Sequence, residues 1–161
     1  MEISIPEMQR HLKMLRLHGM NATLQTRLIQ ANHGAAFAEV FASLVQDEMD
    51  SRNSRLVESR FKASGLPERP TLTEFDWGFN PKLPKKEIYE LVSCKFIRDG
   101  DDALLVGSPG TGKSHIAKTV AHAAIQTGYK VVYREAHAFF EDLFESAQLK
   151  TRNKVSKLFS E

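Results

Sequence analysis

Gly107-Ser108-Pro109-Gly110-Thr111-Gly112-Lys113-Ser114 is a G-x-x-x-x-G-K-S run set between an apolar stretch and a helix-patterned one, and its reading decides the fold of the second half of the chain. A polyphosphate carries several negative charges, and only backbone free of Cβ atoms curls round it easily with its N–H groups turned inward. Gly107, Gly110 and Gly112 supply that freedom. The spacing places Lys113 at the β/γ-phosphates as a mobile cation and the Ser114 hydroxyl on the Mg²⁺ that bridges them. Both fall in the first turn of the next helix, whose unpaired amides and dipole also favour an anion. Ser108, Pro109 and Thr111 complete the loop, and His115 follows at its rim.

The flanks argue against a mere glycine turn. Ala103-Leu104-Leu105-Val106 is a short apolar run ending at Gly107, the pattern of a buried parallel strand. After Ser114, Ile116, Ala117, Val120, Ala121, Ala124 and Ile125 recur at helical spacing until Gly128. Tyr129-Lys130-Val131-Val132-Tyr133 then has the β-branched and aromatic content of a second strand. The expectation is a right-handed β-α-β crossover with parallel strands.

Upstream, the pattern is helical. Ser4 with Glu7 forms a capping box, with Pro6 inside the first turn. The first helix starts near Ile5, buries Met8, Leu12 and Leu15, and ends at Gly19. Asn21 caps a second helix carrying Leu24, Leu28 and Ile29, closed by Asn32-His33-Gly34. A third begins near Ala35 with Phe37, Val40, Phe41, Leu44, Val45 and Met49 on one face, extending through Leu56, Val57 and Phe61. Arg52, Arg55, Arg60 and Lys62 on the third helix, and His11, Lys13, Arg16 and His18 on the first, read either as a phosphate-backbone footprint or as solvated helix faces.

Gly65, Pro67 and Pro70 break the helical pattern. Phe75-Asp76-Trp77-Gly78-Phe79-Asn80-Pro81 follows, with aromatics at alternate positions that either stack on an adenine ring or fix the linker by packing, the latter being the default. A short helix with Ile88, Leu91 and Val92 comes next. The predicted fold class is thus α/β: an all-helical domain at residues 1–66, an aromatic-rich linker at 67–84, and a P-loop NTPase domain with parallel strands at 85–161.

Composition sets the bounds. The chain has 161 residues, a net charge of +2 and a single cysteine, Cys94. Near-neutral charge does not itself call for nucleic acid. One cysteine excludes an internal disulfide and a cysteine-rich zinc site, and fits a reduced, cytoplasmic setting. The start of the chain lacks a signal-peptide pattern, and no apolar run is long enough to span a bilayer, so no membrane partner is expected. Cys94 reads as a small core residue, and His122 and His137 lack carboxylates or cysteines at ligand spacing.

Residues 75–81 together with 104–117 resemble the IstB/DnaC-like ATP-binding proteins, AAA+ relatives that include helper ATPases of insertion-sequence transposons and loaders of the replicative helicase. The likeness is nearest to the IstB transposition helpers, whose linker resembles this aromatic-Asn-Pro run. Ser108 and Ser114 replace the commoner proline and threonine without removing a needed group. The resemblance implies binding of ATP and Mg²⁺ by residues 107–115, with Ser114 on the metal, in a protein that assists a transposase on DNA. It leaves open a helicase-loader role with a helicase partner, homo-oligomerisation of the full-length family, and a non-enzymatic adaptor with a vestigial loop.

ATPases of this class need an apolar strand ending in an acidic pair. In this family that strand falls beyond Glu161, so the sequence reads as the front half of a helper ATPase, hydrolytically incomplete, whether from an interrupted gene or a deliberate shortening. Within the chain only Ala138-Phe139-Phe140-Glu141-Asp142 offers a candidate, and its periodicity with Leu143, Phe144 and Ala147 is helical. No catalytic residue is assigned. The sensor and arginine-finger residues are not recognisable either. Such a two-stranded sheet is expected to expose Leu104, Leu105, Val131 and Val132 and to be marginally stable. Lys150, Arg152, Lys154 and Lys157, with Val155, Leu158 and Phe159 at helical spacing, form a basic tail.

Overall fold

The computed structural model describes residues 3–148. The expected basic tail from Lys150 to Phe159 lies outside them. The described residues divide into two compact units with the boundary between Glu58 and Ser59, taken in turn below.

The first unit holds α1 (Ile5–Met14), α2 (His18–Asn32) and most of α3 (Phe37–Ser64). The capping box forms as the sequence predicts: Ser4 Oγ accepts from Glu7 N at 3.4 Å, and Glu7 Oε2 accepts from Ser4 N at 3.0 Å. The next boundary differs from its expectation. Helix α1 stops at Met14, Arg16 takes a left-handed conformation (φ 59°), and Gly19 falls in the first turn of α2 instead of ending α1. Asn21 is interior to α2, so it is not the cap.

The cap of α2 comes from a distant residue. Buried Glu48 of α3 accepts from Gly19 N at 2.6 Å and from Met20 N at 3.3 Å. A methyl group on Gly19 would lie less than 3.0 Å from Asp47 O, Glu48 Cα and Ser51 Cβ, so glycine is what lets α3 come this close. Arg27 grips Asp47 through two bonds of 2.8 and 2.7 Å on the same pair of helices. Leu24 and Val40 are buried here, whereas Phe37, Phe41, Val45 and Met49 of the expected α3 face are exposed.

The second unit takes up the end of α3 and contains α4 (Lys85–Val92), α5 (Lys95–Asp99), α6 (Lys113–Gln126) and α7 (Ala136–Gln148). Ile88 of α4 and Ile116, Thr119, His122, Ala124 and Ile125 of α6 are buried, with Leu66 and Cys94. Cys94 is thus the small core residue expected. His122 Nδ1 lies 3.1 Å from Pro70 O, and its ring meets Phe61 edge-on, so it serves packing.

The expected fold class is overturned. Among the described residues the regular structure is entirely helical, with no strand and no sheet. Residues 103–106 and 129–133 do not pair, so the α/β domain with parallel strands and its β-α-β crossover are not formed. The reason is that β-propensity measures fit to a pleated, half-buried surface and needs a neighbour to supply it. Leu104 and Val106 stand 87 % and 82 % exposed, and Tyr133 gives its amide to Ser64 O at the end of α3, at 2.7 Å. Both segments have strand-like composition without a strand's partner.

Candidate nucleotide-binding loop

The loop's geometry follows from where its glycines sit. Residues 109 and 110 form a turn, Gly110 has φ +75°, and Gly112 caps α6 with φ +90°. Both angles lie in the left-handed region, which a Cβ penalises by roughly 1–2 kcal/mol. The first bond of α6 runs from Ile116 N to Gly112 O at 2.9 Å. Among the described residues no acceptor is paired with the backbone amides of residues 112–115, which include the first turn of a 14-residue helix.

These residues line an open depression of about 410 Å³: Pro109, Gly110, Thr111, Gly112, Lys113, Ser114 and His115, together with Phe79. That volume lies in the range of small-molecule sites. Lys113 Nζ donates to Ser108 O at 2.6 Å, and Thr111 Oγ1 donates to the same carbonyl at 2.9 Å. The ammonium is therefore held at the loop and not extended into solvent. Gly107 and Lys113 also line a second hollow, of about 360 Å³, with Ile88, Leu104 and Ile116. The structure thus brings Ser108 and residues 109–115 together, with Gly107 on the adjoining face.

The aromatic segment divides its labour. Phe75 packs on His115, ring centroids 5.3 Å apart, and on Trp77 at 4.7 Å. Trp77 stacks on Tyr89 of α4 at 5.8 Å, with Lys85 Nζ 5.1 Å from its ring centre. Packing therefore accounts for two of the three alternating aromatics. The third, Phe79, stands 68 % exposed beside the loop. Sequence reasoning grouped it with its neighbours, although the turn formers Asp76 and Asn80 on either side of it were a usable signal.

A strap that the sequence did not reveal joins the stretch before this segment to α6. Lys118 Nζ meets Glu68 Oε1 at 2.7 Å. That bond, with the added charge attraction, holds the Glu68 carboxyl below its ordinary pKa and the Lys118 ammonium above its own.

The other candidates are distributed differently. Arg52 and Arg55 both bind Glu48, at 2.7 and 3.5 Å, while remaining about half exposed. Glu141 and Asp142 lie on α7, as the helical periodicity predicts, and Asp142 pairs with Arg134 at 3.5 Å. No cluster of metal-ligating side chains occurs among the described residues. No helix among them is long and apolar enough to cross a membrane.

Comparison with known proteins places this geometry in context. Residues 10–159 match the family described as IstB-like ATP binding protein. The chain is 31 % identical over 144 residues to an insertion-sequence ATP-binding protein of Mycobacterium tuberculosis, covering 89 % of this chain and 57 % of the relative. It is 30 % identical over 129 residues to the ATP-binding protein of insertion sequence IS5376 from Geobacillus stearothermophilus, covering 80 % and 51 %. It is 28 % identical over 143 residues to that of IS21 from Pseudomonas aeruginosa, covering 88 % and 54 %. The chain spans about half the length of the curated relatives it matches.

Proposed function

The chain belongs to the IstB-like ATP-binding protein family, and from that premise we propose that it binds ATP through residues 107–115 and serves DNA transposition as a helper to a transposase. The observation that carries the reading is the run of backbone amides at residues 112–115 with no acceptor among the described residues, in a stretch that lines a depression together with the side chains of Lys113 and Ser114. Backbone N–H groups in a left-handed glycine loop, followed by a helix N-terminus, supply the positive potential that a triphosphate requires.

In this reading the residues have distinct roles. The amides hold the β- and γ-phosphates, and Lys113 exchanges its bond to Ser108 O for one to a phosphate oxygen. Ser114 Oγ is the protein ligand for Mg²⁺, whose contribution is to neutralise phosphate charge. The donor set fits both groups: amides and an ammonium for the anion, a hard hydroxyl oxygen for the cation. His115 acts through Phe75, fixing the linker against the start of α6.

Residues 67–84 act as the linker of a nucleotide-binding part that extends over 85–161. Residues 1–66 provide contacts to DNA or transposase, with the exposed guanidinium edges of Arg52 and Arg55 as candidates. The insertion-sequence names of the relatives favour transposition over helicase loading.

The test is ATP binding by the Lys113→Ala variant. Losing a charge-assisted contact of roughly 1.5–3 kcal/mol lowers affinity about 10- to 150-fold. Affinity for ATP unchanged from the parent chain would refute the assignment. Ser114→Ala is expected to flatten the Mg²⁺ dependence of binding while leaving magnesium-free binding in place.

A further inference from the structure

Phe79 is the one aromatic of its segment that the fold leaves open, and the fold does so with some care. Gly78 N donates to Asp76 Oδ1 at 2.8 Å and Phe79 N to Asp76 O at 3.3 Å, closing a turn on one side. On the other, Lys82 N donates to Asn80 Oδ1 at 3.3 Å and Leu83 N to Asn80 O at 3.2 Å. Side-chain-closed turns of this kind fix the backbone locally. Phe75 and Trp77 anchor the same segment to α6 and α4. A ring held between two closed turns, 68 % exposed, is presented and not merely left over.

What it is presented to is the depression lined by residues 109–115. Every other lining residue belongs to the loop and the start of α6, where amides, an ammonium and two hydroxyls suit a phosphate chain. Apart from the imidazole of His115, which packs on Phe75, Phe79 is the only aromatic ring among the described lining residues, and a nucleobase is the flat apolar part of a nucleotide. We propose that Phe79 is the platform on which the base of the bound nucleoside triphosphate stacks, so that the loop takes the phosphates and the linker takes the base. The inference rests on the loop binding a triphosphate, as argued above, and adds a second contact that this binding does not itself require.

Stacking reads area and not hydrogen-bond pattern. The platform therefore favours purine over pyrimidine triphosphates and discriminates weakly between ATP and GTP.

The experiment compares two probes, ATP and inorganic tripolyphosphate, by calorimetry on the full chain and on Phe79→Ala, Phe79→Trp and Lys113→Ala. Phe79→Ala is expected to weaken ATP about tenfold or more, the usual loss for one base–aromatic stack. It should leave tripolyphosphate affinity unchanged, and Phe79→Trp should retain ATP. Lys113→Ala should weaken both probes. The fluorescence of Trp77, the single tryptophan of the parent chain, which packs on Tyr89, reports whether Phe79→Ala and Lys113→Ala keep the segment folded.

Equal losses of both probes in Phe79→Ala, or no loss of ATP, would overturn the platform while leaving the phosphate loop in place. A loss of ATP on Phe79→Ala combined with indifference of both probes to Lys113→Ala would remove the loop assignment, and with it the stacking of a loop-bound nucleotide on Phe79. Failure of the parent chain to bind ATP would overturn both.

Discussion

Helices α2 and α6 begin under the same electrostatic demand and meet it in opposite ways. At α2 the amides of Gly19 and Met20 point at the carboxylate of Glu48, buried and fixed by Arg52. At α6 the amides of residues 113–115 have no acceptor among the described residues, and the same residues line an open depression. Each start carries a glycine, but for different reasons: Gly19 makes room for a neighbouring helix, and Gly112 turns the chain at φ +90°. A helix N-terminus attracts negative charge wherever it occurs. In the first unit the protein supplies the anion itself, and that end is structural. In the second, on the function proposed above, the phosphates of ATP supply it. The difference between a capped and an uncapped N-terminus is what separates scaffold from site in this chain.

Gly19→Ala should break the comparison most severely. The added methyl meets the backbone of Asp47 and Glu48 and the Cβ of Ser51 on α3, none of which can yield cheaply. Overpacking of this kind costs about 1–3 kcal/mol, occasionally more. For a chain of this size that lowers Tm by roughly 2–12 °C. ATP affinity should stay at the parent value, because the nucleotide loop belongs to the other unit; a calorimetric titration showing both effects together would contradict the division of roles.

Gly112→Ala should show the reverse signature at a smaller scale. The left-handed angle at this position costs an L-residue about 1–2 kcal/mol, and the new Cβ has only Phe75 Cζ near it, at 3.9 Å. The strain falls on the loop that presents the amides. Nucleotide affinity should drop roughly tenfold, with a Tm change no larger than a few degrees. A variant that loses stability as heavily as Gly19→Ala and binds ATP normally would show that Gly112 is scaffold after all.

How much of this was legible follows from the range over which each signal acts. The capping box at Ser4 and Glu7 was readable because both partners lie within one turn. Residues 107–114 were readable as a loop because glycine spacing and the helix after it are local. The boundary between α1 and α2 was not, since α2 is capped by a carboxylate 29 positions away from Gly19. The strands were misread for a related reason. The apolar run at 103–106 and the β-branched and aromatic residues at 129–133 state a preference, but a sheet requires a partner segment, and Tyr133 found Ser64 instead. Phe79 differs from Phe75 and Trp77 in sequence only by the turn formers Asp76 and Asn80 around it, and its exposure shows once the packing of the other two rings is known. Periodicity gave the helices, while the openness of one ring among three depended on tertiary packing.

The mildest perturbation sharpens the comparison by titrating the internal anion. Arg52, and then the amides of Gly19 and Met20, hold the Glu48 carboxyl below the ordinary glutamate range against the opposing effect of burial. A carboxyl depressed in the folded state adds stability that is full above its unfolded pKa and is lost as pH falls through the folded value. Glu48→Gln removes the charge and keeps one carbonyl acceptor, so it mimics the protonated state with little change in shape. At neutral pH the variant should melt below the parent chain. As pH falls below the ordinary glutamate range the two melting curves should converge, because the parent then carries an uncharged group at the same position. A gap that stayed constant with pH would mean that shape, not charge, joins α2 to α3 at this point. The N-terminus of α2 would then no longer be the internally neutralised counterpart of α6.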